Sequence, residues 1–188
     1  MGEYTAYFNG DVMPLSQVAE AMKAAGLESA GGFYDVERTF GGALYRLDDH
    51  LARLYRGLEH SDLDPGVTLQ EMADLTTALM ELNVPLLEPS QDFLVTQVVS
   101  VVPGDERDSH EQDGDEVTAK TPMNVAIYCQ FLDFTPFALS YGYGVRVTTP
   151  VTYAVPPAEQ STRQQSFALM SDAEGNITEC QGGNFMFV

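Results

Sequence analysis

Two runs, FLVTQVVSVV at residues 93–102 and MNVAIYCQFL at 123–132, constrain the fold more than any other feature of this sequence. Both are dense in β-branched and aromatic residues, the composition of sheet strands. Each is therefore expected as a central strand. Between them lies GDERDSHEQDGDEVTAK at 104–120, polar throughout, which reads as a mobile exposed loop joining two central strands.

The other strands are punctuated by tight turns. Tyr4 to Phe8 alternates as a strand, Asn9-Gly10 is a hairpin turn, and Asp11 to Pro14 is the returning strand. Phe33 to Phe40 and Ala43 to Leu47 form a second hairpin about Gly41-Gly42. Three segments have helical spacing instead. Leu15 to Gly26 is a short helix or helical loop ended by glycine. Residues 48–61 open on Asp48-Asp49 and place Leu51, Leu54 and Leu58 on one stripe, with Arg53 and Arg56 beside it. Thr68 to Asn83 puts Leu69, Met72, Leu75, Leu79 and Leu82 on one side and is stopped by Val84-Pro85.

Residues 133–144 mix proline, glycine and aromatics without a period, which suits a connector. Beyond it, Val145 to Ala154, Phe167 to Met170, Ile177 to Glu179 and Asn184 to Val188 read as strands, with a turn over Asp172 to Asn176. Strands and helices segregate in an α+β manner, without regular βαβ alternation. The expected layout is an N-terminal α+β domain over 1–132, a connector over 133–144 and an incomplete C-terminal domain over 145–188.

Charge narrows the partners. With 28 acidic against 9 basic residues, a net charge of −19 opposes a nucleic-acid backbone or an anionic membrane. No stretch reaches the roughly 18 apolar residues of a membrane span, and no basic-then-apolar leader opens the chain, so a cytoplasmic location is expected. The acidic surface serves solubility or adaptation to high salt. Cys129 and Cys180 lie far apart in strand-like surroundings and read as small buried hydrophobes, not as a disulfide or metal pair.

Three stretches, YFNGDVMP at 7–14, GFYDVERTFGGALYRLDDHLARLYRG at 32–57 and ALMSDAEGNITECQGGNFMFV at 168–188, each resemble a block of the fold-type IV aminotransferases, and they occur in that family's order. PVTYAVPPAEQSTRQ at 150–164 resembles it more weakly. The resemblance implies a pyridoxal 5′-phosphate enzyme of the branched-chain or D-amino-acid aminotransferase kind. Its substrates would be an amino acid and a 2-oxo acid, and a homodimer is implied. It assigns the cofactor phosphate to Arg53, in HLARL, where a guanidinium fork meets a dianion through paired hydrogen bonds. Without the motif, Arg53 would be an arginine on a solvated helix face.

By the same resemblance Glu179 matches the carboxylate that keeps the pyridine nitrogen protonated, and Asn184, after Gly182-Gly183, falls beside the cofactor. Tyr34 and Val36 match positions lining the substrate pocket, although core packing explains them equally well. No metal ligand set is implied.

The chain departs from the family at the lysine that joins the cofactor aldehyde. The family places it after a Pro-Pro segment and a basic residue; here Pro156-Pro157 leads to Arg163, Gln164 and Gln165, and an amide cannot form a Schiff base. Lys23 and Lys120 match no motif, so no catalytic residue is assigned. A family helix is missing after Gln165, and the later family blocks do not follow Val188. An aminodeoxychorismate lyase-like enzyme and a non-catalytic homologue remain the alternatives. We expect the expressed protein to be longer than these 188 residues, with a lysine-bearing segment near Gln165. Intact-mass measurement should give a value well above 20.6 kDa; a value at 20.6 kDa would mean a genuine deletion.

Overall fold

The computed structural model describes residues 2–27, 32–88, 90–102, 122–149, 166–180 and 185–186. The chain divides into two compact units, 1–132 and 133–188. The loop at 104–120, Gln165 and Asn184 lie outside the described residues.

The first unit is built on a six-stranded sheet. Strands β1 (Thr5–Phe8) and β2 (Asp11–Pro14) form the opening hairpin, whose turn places Asn9 at φ 49° and Gly10 at φ 100°. That left-handed pair gives the hairpin a twist that matches its strands. Asn9 also ties the turn inward: its amide donates to Asn124 Oδ1 at 2.8 Å, and its Oδ1 accepts from the Val125 N–H at 2.8 Å. The sheet continues through β3 (Gly32–Phe40), β4 (Ala43–Leu44), β5 (Phe93–Val101) and β6 (Met123–Phe131), in the order β2-β1-β6-β5-β3-β4. The two most apolar runs are thus the central pair, antiparallel from Phe93↔Phe131 to Val101↔Met123.

The second hairpin is shorter than its sequence suggests. β4 ends at Leu44 because Arg46 takes a left-handed conformation, φ 57° and ψ 38°, that swings the chain off the sheet and into α2 (Leu47–His60). Leu51, Leu54 and Leu58 of α2 are buried together with Met72 and Leu79 of α3 (Leu69–Asn83) and Val99, Val125 and Ile127 of the sheet. Gly57 lets α2 approach closely: a Cβ there would lie 2.8 Å from the Phe33 ring.

Helix α3 starts on a capping box, with the Glu71 N–H donating to Thr68 Oγ1 at 3.2 Å and the Thr68 N–H donating to Glu71 Oε2 at 2.7 Å. Its buried face differs from the leucine stripe read from the sequence. Met72, Ala73, Thr76, Leu79, Met80 and Asn83 are buried, whereas Leu82 is 59% exposed. The face is turned by two polar side chains that find partners inside. Asn83 accepts from the Thr5 N–H at 2.8 Å and donates to the carbonyls of Thr5 at 2.8 Å and Leu79 at 3.0 Å. Helix α1 (Leu15–Ala24) contributes Val18 as its buried residue.

The second unit contains a 3₁₀ turn (Thr135–Phe137), α4 (Ala138–Tyr143), and a three-stranded sheet of β7 (Arg146–Thr148), β8 (Ser166–Ser171) and β9 (Ile177–Cys180). The segment read as an aperiodic connector is therefore partly helical. β7 pairs parallel to β8, and β8 antiparallel to β9. Of the strand expected over Val145 to Ala154, Arg146–Thr148 is a strand and 150–154 falls outside the described residues, and Phe185 and Met186 are not in a strand.

Asn83→Ala should unfold at lower denaturant, by roughly 1–2 kcal/mol, because two partly buried backbone groups of Thr5 lose their partner. Leu82→Ala should change stability by less than about 0.5 kcal/mol.

Candidate functional site

The chemistry of the first unit gathers where β3 meets α2. Strand alternation puts Asp35, Glu37 and Thr39 on one face of β3, and all three are buried. Burying an ionised carboxylate is costly unless it is paired and hydrogen-bonded, and for Asp35 one turn of α2 supplies two partners. Arg53 donates from Nε to Asp35 Oδ2 at 2.8 Å and from Nη2 to Oδ1 at 2.7 Å. His50, three residues earlier on the same helix face, places Nδ1 2.7 Å from Oδ1. Burial pushes the Asp35 carboxyl upward, but the Arg53 and His50 hydrogen bonds outweigh it and hold Asp35 below the usual carboxylate range. Ionised Asp35 only accepts, so His50 carries its proton on Nδ1.

The arginine is asymmetrically placed: Asp35 is 1% exposed, whereas the Arg53 side chain is 63% exposed. Two of its five donors are bound to Asp35, and the residue lines a concavity of about 300 Å³ together with Tyr45, Arg46, Asp49, His50 and Arg56. Arg46 is paired with Asp49 at 2.6 Å. Three arginines and a histidine about one opening, in a chain of net charge −19, suit a small anion such as a phosphate. Asp35, Glu37 and His50 also bring possible metal-ligand atoms within 4.8 Å of one another. Both Asp35 oxygens already accept hydrogen bonds, however, so the arrangement is an arginine clamp before it is a metal centre.

On the opposite face of the sheet Tyr34 and Val36 line a cleft of about 600 Å³ with Met22 and Lys23 of α1, Thr96 and Tyr128. Tyr34 is 72% exposed, so it is not part of the core. Of the other residues singled out from the sequence, Glu179 is exposed on β9 opposite Met170, in the second unit. The turn before it is tied by Asp172, whose Oδ1 accepts from the Asn176 N–H at 2.7 Å, with Gly175 at φ 84°. Cys129 is buried, and burial pushes its thiol up to about 12, which leaves it protonated and inert.

No protein-family model matches the chain. Over 76 residues it is 32% identical to a D-alanine aminotransferase of Bacillus licheniformis; the match covers 40% of this chain and 27% of that protein. Among solved structures, a branched-chain aminotransferase of the archaeon Thermoproteus uzoniensis, crystallised with norvaline, matches over 96% of this chain and 64% of its own, with TM-score 0.63 and 18% identity. The T.th. branched-chain amino acid aminotransferase with pyridoxamine 5′-phosphate matches over 97% of this chain and 63% of its own, with TM-score 0.64 and 14% identity. The fold is that of the fold-type IV aminotransferases. The chain spans under two thirds of the length of these structures.

Within this aminotransferase fold, the sequence motif points to Arg53 but not to what holds it. Asp35 and His50 do not stand out in the sequence, nor does the neighbouring pair Glu37 and Gln97, because acidic residues on a strand are ordinarily solvent-facing. The available signal is the spacing: two acids two apart on one strand, and a histidine and an arginine three apart on one helix. Gln97 Nε2 donates to Glu37 Oε1 at 2.7 Å, while Glu37 Oε2 and Gln97 Oε1 are buried without a hydrogen-bond partner.

Burial raises the Glu37 carboxyl from 4.5 to about 7, against the Gln97 hydrogen bond and the nearby His50. An acid whose folded-state value is raised binds its proton more tightly when folded. Its contribution to stability therefore falls as pH rises from about 4.5 to about 7. Glu37→Gln should leave stability near wild type at pH 5 and raise it by roughly 1–3 kcal/mol at pH 8. Denaturant melts of both proteins at the two pH values check this; equal pH dependence would refute it.

Proposed function

We propose that this chain carries the phosphate-holding part of a pyridoxal 5′-phosphate site, and that the protein transfers an amino group from an amino acid to a 2-oxo acid. The observation that carries the reading is Arg53. It is held bidentately by a buried aspartate and lines an opening that Arg46, Arg56 and His50 also line. A phosphate dianion is complementary to that opening in charge and in hydrogen-bond geometry. The aminotransferase fold and the pyridoxamine 5′-phosphate named with one of its neighbours agree with this cofactor.

When bound, the cofactor would draw electrons from the substrate's α-carbon. The chain's own residues would hold and orient it. Arg53 would fix the phosphate, Glu179 would keep a proton on the pyridine nitrogen, and Asn184 would lie beside the ring. Tyr34 and Val36 would line the substrate cleft. We further propose a cytoplasmic homodimer. Gln165 cannot supply the amine that joins the cofactor aldehyde, and this favours a second reading for the chain as it stands: a homologue that binds the cofactor without turning it over.

Arg53→Ala should raise the dissociation constant for pyridoxal 5′-phosphate by about ten- to a hundredfold, the weight of one or two charge-assisted hydrogen bonds. Arg56→Ala, one turn on, should change it by about twofold or less. Titration followed by cofactor absorbance measures both, and equal effects would overturn the assignment to Arg53. Borohydride treatment of the cofactor-loaded protein then separates the two readings, since covalent attachment requires an amine within reach.

A further inference from the structure

We propose that Asp35, steadied by His50, is the positioning residue for Arg53, fixing its guanidinium so that one edge stays ready for phosphate. The inference rests on the reading of Arg53 as the phosphate ligand and adds what makes that arginine effective. A solvent-exposed arginine carries about 2 kcal/mol of rotamer entropy, which a bound anion must overcome. Here the ordering is already present in the folded protein, because Nε and Nη2 are both engaged by one carboxylate, at 2.8 and 2.7 Å. Three donors of the same rigid plane are left for a ligand.

The anchor is itself immobile. Asp35 lies within β3, its backbone in register with Gln97 of β5, and its side chain is 1% exposed. His50 Nδ1 lies 2.7 Å from the Oδ1 that also accepts from Arg53 Nη2, which removes the carboxylate's remaining rotational freedom. A second buried carboxyl group packed here is Glu37, on the same face of β3 and bound to Gln97. It makes no hydrogen bond to Arg53 among those described.

A competing role for Asp35 predicts the opposite sign. If the aspartate only neutralised Arg53, removing its charge would release a stronger phosphate ligand; if it positions Arg53, removing it leaves a cation that must be ordered anew. The experiment compares pyridoxamine 5′-phosphate with pyridoxamine by calorimetric titration of the intact chain, since neither ligand needs a lysine. In Asp35→Asn the dissociation constant for the phosphorylated ligand should rise about tenfold, with that for pyridoxamine changing by about twofold or less, because only the phosphate uses the preorganised edge. The Arg53 Nε–H resonance should exchange slowly in the wild type, where Asp35 accepts from it, and fast in Asp35→Asn.

His50→Ala should give a smaller loss, about threefold, and His50→Gln, whose amide can donate to Asp35, should restore most of it. If Asp35→Asn does not fold, this pair decides the matter: equal affinities in His50→Ala and wild type overturn the proposal. So does unchanged or tighter phosphate binding in Asp35→Asn. Arg53→Ala in the same series keeps the two claims apart. If it leaves the phosphorylated ligand's affinity unchanged, the assignment of the phosphate to Arg53 is what fails.

Discussion

Burying the Asp35 carboxylate sets the geometry of the first unit. A carboxylate at 1% exposure would lose several kcal/mol of hydration unless cations met it, so α2 has to present Arg53 and His50 to β3. Those two residues are three apart, which fixes the rotation of the helix about its own axis. Once they face Asp35, Leu51, Leu54 and Leu58 can only turn toward the sheet and α3, where they are found. The ion pair and the apolar stripe are two consequences of one helical setting. A shift of α2 that spoiled one would spoil the other.

Beside this satisfied carboxylate lies an incompletely satisfied one. Glu37 stands two residues along the same strand, so the alternation that buries Asp35 buries it too, yet it meets an amide where Asp35 meets a guanidinium. The contrast explains their opposite titration behaviour. Partnering outweighs burial at Asp35, and burial outweighs partnering at Glu37. Two acids two residues apart thus take different roles, one held below the usual carboxylate range and one raised to about 7.

Most of the first unit was legible because its signals are local. Asn9-Gly10 specifies a hairpin through its backbone preferences, and the leucines of α2 repeat with the helical period. Legibility failed where a tertiary contact decided the outcome. Leu82 fits the apolar stripe of α3 by spacing, but Thr76 and Asn83 turn the buried face because their polar groups find partners inside. β4 stops early because Arg46 adopts a conformation that the sequence usually announces with glycine or asparagine. At the site, Arg53 was visible only through a family motif. Its anchor was not visible at all, since a single sequence does not say which face of a strand a helix will cover.

The remaining question is how a chain of net charge −19 can present a site for an anion. At a distance its field repels phosphate, and salt screens that repulsion over about 10 Å at 0.1 M. At contact the balance reverses, since hydrogen bonds at about 3 Å act inside the screening length and depend on the local groups. Arg46, Arg53, Arg56 and His50 are collected about one opening. Of the acids near them, Asp49 is paired with an arginine and Asp35 is buried behind one. Recognition of an anion by such a surface has to be a matter of preorganised short-range donors, not of long-range attraction. That requirement is why an arginine held by a buried partner suits this acidic chain better than a free one.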